Sequence, residues 1–169
     1  MKKIAFIALL AGLLTHSAHA IDLDRYLAVG GGNISFEEVG YEDGKSVHVK
    51  IGVTAEEGFG LELEYSQTID ALKDIGGTQD IDAITAGSYV TYRVIMDGEF
   101  SLKGRLGWLD RTFKVAGDPT DNEYSTDVSY GLSINYEPIQ DQVVYLDYTI
   151  SEAGFWDIVV ISAGIQYFF

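Results

Sequence analysis

The last fourteen residues of the chain, WDIVVISAGIQYFF (156–169), alternate between two unlike faces. Counted back from the end in steps of two, one face carries Phe169, Tyr167, Ile165 and Ala163, whereas the other is smaller and more polar through its middle. Period-two alternation of this kind is typical of a β-strand. Because chain ends usually fray into water, bare aromatic rings at the end of a strand favour one face in contact with lipid.

Seven further alternating runs precede this one, at 26–36, 46–55, 59–69, 83–94, 100–115, 126–137 and 143–151. Their lengths suit strands of about ten residues tilted across a bilayer. Short turns and long polar loops alternate between the runs, which is the pattern of outer-membrane barrels. We therefore expect an all-β fold, an eight-stranded antiparallel up-and-down transmembrane β-barrel with both termini on the short-turn, periplasmic side. A soluble lipocalin-like barrel is the alternative, because alternation alone does not say which face meets lipid.

The first twenty residues predict a cleaved secretory signal peptide. Two lysines precede an apolar run that ends at Leu14, and the tripeptide AHA (18–20) fits a small-x-small cleavage pattern. The apolar run is too short for a membrane-spanning helix. We expect 1–20 to be removed and 21–169 to form the barrel domain, with nine basic and 26 acidic residues and hence a net charge of −17.

The composition argues against several kinds of chemistry. The chain has no Cys, so disulfide and thiol chemistry are excluded. Its acidic excess, 26 Asp+Glu against 11 Lys+Arg, argues against nucleic acid as a partner. We expect no cofactor and no dedicated metal site, because 118–127 lacks the glycine and the terminal glutamate of an EF-hand loop. Binding of divalent cations by the acidic loops is left open, and 30–32 (GGG) is interpreted as close strand packing or a lumen constriction.

Charged side chains also occur on the polar faces of the runs, where a barrel lumen would be. They are Lys50, Glu62, Glu64, Arg93, Lys103 and Arg105. Counting from the short turns places Lys50 level with Glu64, and Arg93 level with Lys103. Unpaired charges in a narrow lumen would be costly, so we expect a linked ion-pair network. We interpret it as a packed polar plug that holds the strand register, with a gated ion path as the alternative.

Catalysis has little support in the sequence. His48 is the one histidine after the predicted signal peptide. Outer-membrane lipid A deacylases of this size use a His/Ser pair with a carboxylate, and the serine that their motif needs is missing beside His48. Ser46 shares its face, but two positions away on a strand this is a common coincidence, and geometry must come before any role. We expect no catalytic residue, and a His48 that is either surface-exposed or a cap on the lumen.

Three segments carry a resemblance: GFGLELEYSQ (58–67), SYGLSINYEP (129–138) and SAGIQYFF (162–169). They resemble strands of the small outer-membrane β-barrel family, which includes the opacity-like proteins and the transmembrane domain of OmpA. The resemblance implies the outer membrane of a Gram-negative bacterium, with the lipid bilayer, lipopolysaccharide and the barrel-assembly machinery as partners. In that family the machinery reads a terminal Phe preceded by alternating aromatics. This assigns an assembly signal to Phe169, Tyr167 and Ile165.

Three functions follow from these observations. The favoured hypothesis is a non-enzymatic integral outer-membrane barrel with a structural or surface-interaction role through acidic extracellular loops, whose ligand the composition does not name. The alternative is a small channel or a conduit for a hydrophobic solute. A lipid A-modifying enzyme is the remote alternative.

Overall fold

The computed structural model describes residues 23–36, 41–74, 80–115, 122–153 and 156–169, so the predicted signal peptide lies outside the described residues. Ten β-strands follow one another along the chain: β1 (Leu23–Phe36), β2 (Tyr41–Glu42), β3 (Gly44–Ala55), β4 (Phe59–Asp70), β5 (Leu72–Asp74), β6 (Asp80–Asp97), β7 (Phe100–Val115), β8 (Asn122–Ile139), β9 (Gln142–Ala153) and β10 (Trp156–Phe168). Among the described residues, no helix is long and apolar enough to cross a membrane.

Eight long strands close into an antiparallel barrel. Around the barrel they run β1, β3, β4, β6, β7, β8, β9 and β10, and β10 pairs with β1 from Tyr26↔Phe168 to Phe36↔Ile158. This confirms the predicted number of strands and their up-and-down order. Several strands are longer than the sequence predicts. β6 begins at Asp80 and β8 at Asn122, whereas the alternating pattern predicts starts at 83 and 126.

Two short strands were not predicted. β5 pairs with β6 at Leu72↔Ile81, and β2 pairs with β5 at Tyr41↔Asp74. They extend the sheet beside β6 at the end of the barrel that carries the long connections, here called the loop end; the opposite end is the turn end. These segments are short and polar, so period-two alternation could not mark them.

The two faces of the barrel wall are inverted relative to a water-soluble protein. Outward-facing aliphatic side chains are exposed, among them Val49 at 47%, Leu106 at 60% and Leu146 at 52%. The lumen instead holds buried polar side chains such as Thr91 and Ser133. An exposed apolar belt around a polar interior suits lipid as the surrounding solvent, and it argues against the soluble alternative.

Aromatic side chains border this belt at both ends. At the turn end Phe59 packs on Tyr92 with ring centroids 4.6 Å apart, and Phe100 stacks on Tyr136 at 4.8 Å. Nearer the loop end the outward-facing rings are exposed and belong to four strands: Tyr65, Trp108, Tyr130 and Tyr148. Two belts of aromatic residues, one at each end, are typical of the levels at which a barrel enters and leaves the hydrocarbon layer.

Tight turns close the turn end. Gly58 has φ +91°, its N–H donates to the Ala55 carbonyl at 2.8 Å, and Gly98 has φ +49°. Positive φ is inexpensive for glycine, which explains why these two short connections contain it. The turn between β8 and β9 instead uses Asp141 at φ 65°.

Candidate functional site: the barrel lumen

The middle of the lumen is organised around Glu62, which is 1% exposed. Its carboxylate accepts hydrogen bonds from Lys103 Nζ at 2.7 Å, Arg105 Nη1 at 2.8 Å and the Tyr26 hydroxyl at 2.7 Å. The parity of β4 and β7 directs all three charged groups inward. Two buried cations therefore share one fully desolvated carboxylate.

The ion pairs continue across the lumen. Arg105 Nη1 also donates to Glu64 at 2.5 Å, and Lys50 Nζ lies 3.8 Å from Glu64. Lys50 forms a second, close ion pair with Asp147, which also accepts a hydrogen bond from the Ser133 hydroxyl. We call these six residues the lumen network: Lys50, Glu62, Glu64, Lys103, Arg105 and Asp147. Three basic and three acidic groups give it no net formal charge, as burial requires.

Five of the six charged residues singled out from the sequence lie in the lumen network. Lys50 is opposite Glu64 in the β3–β4 register, and Arg93 is opposite Lys103 in the β6–β7 register, as counting from the turns predicts. Arg93 nevertheless stays apart from the network, because its guanidinium lies over the Phe168 ring, 5.3 Å from the centroid at the turn end.

Asp147 is the member that sequence reasoning missed. It sits on the polar face of the seventh predicted run, so parity already directs it inward. The six lumen residues predicted from the sequence comprise four bases and two acids. Because buried charges need partners of opposite sign, this excess of bases already indicated that a further acid faces the lumen. Whether the lumen network acts as a structural plug stays a prediction.

Tyrosines fill the space beside the network by packing against glycines. A Cβ on Gly30 would lie 2.6 Å from the Tyr145 hydroxyl and 2.7 Å from His48 Nε2, and a Cβ on Gly164 would lie 2.4 Å from the same hydroxyl. Tyr26 packs against Gly52 in the same way. The glycines of β1 and β10 thus make room for a large ring in a narrow barrel.

His48 is buried inside the lumen rather than exposed at the surface. It is 4% exposed, and its Nε2 lies 2.6 Å from the Tyr145 hydroxyl, above the Lys50 side chain on the same strand. Ser46 is also buried, and its hydroxyl has no hydrogen-bond partner within the described structure. The His/Ser/carboxylate contact that acyl transfer needs is not formed by these residues.

An apolar cluster occupies the loop end of the lumen. Its buried members are Ile34, Leu72, Ala83 and Ile158, and Ile81, Phe113 and Val160 pack against them. Beside it, buried Arg111 donates to Asp127 from Nε at 3.0 Å and from Nη2 at 2.5 Å. Neither feature was predicted from the sequence. The apolar cluster and the Arg111–Asp127 pair thus lie on the loop-end side of the lumen network.

The side chains proposed as an assembly signal share one outward-facing row. Ile165, Tyr167 and Phe169 are 43%, 47% and 66% exposed, and the Phe169 N–H donates to the Arg25 carbonyl at 2.9 Å. Their role in assembly stays a prediction. For metals, the described residues hold no group of three or more His, Asp or Glu side chains placed to bind an ion, and the predicted loop 118–127 lies partly outside those residues.

An eight-stranded barrel with an apolar exterior, aromatic residues at both borders of that exterior and a polar lumen defines an integral β-barrel of the outer membrane. The chain belongs to the outer membrane protein β-barrel domain family, whose model matches residues 4–169. Membership places it in the outer membrane of Gram-negative bacteria, as the resemblance implied. No curated protein matches this chain significantly.

Solved structures show the same fold at low sequence identity. Ail, the attachment invasion locus protein of Yersinia pestis, solved with the heparin analogue sucrose octasulfate, has a TM-score of 0.68 and 17% identity over 88% of this chain and 100% of its own. The N-terminal barrel domain of Pseudomonas aeruginosa OprF has a TM-score of 0.66 and 11% identity over 86% and 97%. Neisserial surface protein A has a TM-score of 0.61 and 14% identity over 87% and 97%.

Proposed function

We propose that this chain is a non-enzymatic surface barrel whose loop end faces the outside of the cell and binds a partner that carries positive charge. Both termini are then periplasmic. The bilayer and lipopolysaccharide surround the belt, and the barrel-assembly machinery inserts the chain by reading Phe169 and its row.

The distribution of charge is the observation that carries this proposal. The lumen network is balanced, with three bases and three acids. The loop-end segments 37–45, 70–82, 110–127 and 152–157 contain fifteen acidic and four basic residues, a net of −11. The described exposed acids among them come from several strands: Glu42, Asp43, Asp70, Asp80, Asp82, Asp110 and Glu152. A surface of one sign attracts partners of the other sign and repels its own.

This charge argues against a sulfated sugar as the ligand here. Ail was solved with a polyanionic heparin analogue. A polyanion would meet like charge across the loop end of the present chain, which is unfavourable at short range. A basic protein or peptide segment is the ligand class that the same surface favours.

The filled lumen supports a surface role over a channel or a solute conduit. Ion pairs with hydrogen-bond distances of 2.5 to 2.8 Å occupy its middle, and an apolar cluster occupies its loop end. An enzyme acting on lipid A would need its reactive groups near lipid, whereas His48 is buried in the lumen beside Tyr145. This position keeps the His48 imidazole away from an acyl chain in the surrounding bilayer.

Binding of a polycation to the bilayer-embedded protein tests the proposal. The full chain in nanodiscs of uncharged lipid exposes both ends, and short poly-L-lysine is the probe. Neutralising four loop-end acids (E42Q, D43N, D80N and E152Q) is expected to weaken binding about tenfold at low salt. The matched control variant neutralises four turn-end acids (E56Q, E57Q, E137Q and D141N). It should bind poly-L-lysine with nearly the affinity of the unmodified protein. An equal loss in both variants, or no binding by the unmodified protein, contradicts the proposal.

A further inference from the structure

Among the described residues, the sheet has one strand segment beyond the aromatic border of the loop end that is paired on one side only. β8 pairs with β7 as far as Lys114↔Asn122, but its ladder with β9 ends at Val128↔Glu152. Residues 122–127 of β8 are therefore paired on one side and have no strand partner on the other within the described structure. We call this segment the β8 edge. In an antiparallel strand every second residue directs its N–H and C=O to the same side, so about three such residues face the free side.

The β8 edge extends outward from the aromatic border of the lipid belt. Asp127 is three residues and Asn122 eight residues beyond Tyr130, which are rises of about 8 Å and about 20 Å at about 3.3 Å per residue and a tilt of about 40°.

Side-chain contacts hold the β8 edge in a strand conformation. The Thr126 hydroxyl donates to Asp110 on β7 at 2.6 Å, and Arg111 on β7 donates to Asp127. Tyr124 is 74% exposed and offers an aromatic surface next to the free side. A preformed edge of this kind can accept another strand with little ordering of its own backbone.

The charge around the β8 edge selects which strand it could accept. An added strand would continue the line of β9, directly above exposed Glu152 and next to Asp157, the Cα partner of Glu152 on β10. The segment 118–127 itself carries four acidic residues and no basic one. Acidic flanks oppose pairing with a second copy of the same edge, which is how natural edge strands avoid self-association. They favour a basic strand.

We propose that the β8 edge binds an extended, basic peptide segment of the partner by antiparallel or parallel strand addition. The partner segment adds backbone hydrogen bonds to residues 122–127, and its lysine or arginine side chains reach Glu152 and Asp157. This inference rests on the proposed function and names the mode of binding.

Hydrogen exchange of the nanodisc-embedded full chain tests the mode directly. The probe is a short peptide of alternating Lys and Val, compared with the same peptide N-methylated at every residue, which has equal charge but has no N–H to donate to the edge from either side. The unmethylated peptide should slow exchange of about half of the amides in 122–127 and should bind about tenfold or more tightly than its methylated form. The E152Q/D157N variant should bind it more weakly, whereas E56Q/E57Q, which neutralises two acids at the turn end, should bind it as well as the unmodified protein does.

The outcomes separate this inference from the proposed function. If both peptides bind equally and protect no amide in 122–127, strand addition is wrong and the charge-based function stands. If neither peptide binds while poly-L-lysine does, strand addition is again wrong. If no polycation binds, the proposed function fails as well. Protection that grows with protein concentration without peptide would indicate pairing between copies and would also overturn the inference.

Discussion

Replacing Glu62 by Gln is the most informative perturbation of the lumen network. The Glu62 side chain is 0% exposed, and its ion-pair partners Lys103 and Arg105 are 7% and 3% exposed. Gln keeps the shape but removes the charge that both cations share. Breaking a buried pair from one side costs about 3 to 5 kcal/mol, because the other charge is left uncompensated. Weakening two charge-assisted hydrogen bonds, each worth about 1.5 to 3 kcal/mol, gives a similar figure.

Urea titration in lipid vesicles measures this loss. Tryptophan fluorescence should change as the barrel leaves the bilayer, since Trp108, one of the two tryptophans of the chain, is 62% exposed on the lipid-facing side. With a slope of about 2 kcal/mol per M, the E62Q midpoint should fall by about 1.5 to 2.5 M. E57Q removes the charge of an exposed turn carboxylate, so its free energy of unfolding should differ from that of the unmodified protein by less than about 0.5 kcal/mol. The double variant E62Q/K103Q should recover part of the loss, because one orphaned cation is gone.

The comparison of E62Q with E57Q can refute this interpretation of the lumen. If E62Q and E57Q lower the midpoint by the same small amount, the carboxylate is not holding two buried cations, and the structural interpretation of the lumen is wrong.

Three further predictions concern packing, charge placement and assembly. A Cβ on Gly30 would clash with a backbone oxygen, whereas one on Gly104 meets nothing within 4 Å. In the urea titration, G30A should therefore lower the free energy of unfolding by about 1 to 3 kcal/mol, and G104A should leave it unchanged. R105M should lower the free energy of unfolding by about 3 kcal/mol or more and R93M by less than about 1 kcal/mol, since only R105M breaks the lumen network. Equal losses would contradict the assignment of Arg105, but not Arg93, to the lumen network. F169D should strongly reduce the heat-modifiable barrel in outer-membrane fractions while F169Y keeps it, and normal levels of F169D would refute the assembly signal.

Much of the barrel could be predicted because lipid imposes a simple rule on the strands. Every residue inside the hydrocarbon layer faces either lipid or lumen, so period-two alternation gives both the strand and the direction of each side chain. Tight turns then set the register between neighbours, which is why Lys50 was placed opposite Glu64. Local rules of this kind need no knowledge of the closed shape.

The remainder depends on contacts across the lumen and above the membrane. Asp147 reaches Lys50 from a strand 97 residues away in sequence, a contact that exists only once the barrel has closed. The Arg93 guanidinium lies over the Phe168 ring instead of joining the lumen network, and no strand pattern reveals this contact. Beyond the bilayer lipid no longer imposes alternation, so β2, β5 and the β8 edge left no periodic signal.

Planar-bilayer recording of the refolded full chain most directly tests the claim that the lumen is filled and that the barrel works through its loop end. Insertions of the unmodified protein are predicted to show no stable unitary conductance, because the lumen network and the apolar cluster leave no continuous water path. The same protein must run as a heat-modifiable barrel in gels, which shows that it is folded. Stable unitary conductance from such folded protein would contradict the account.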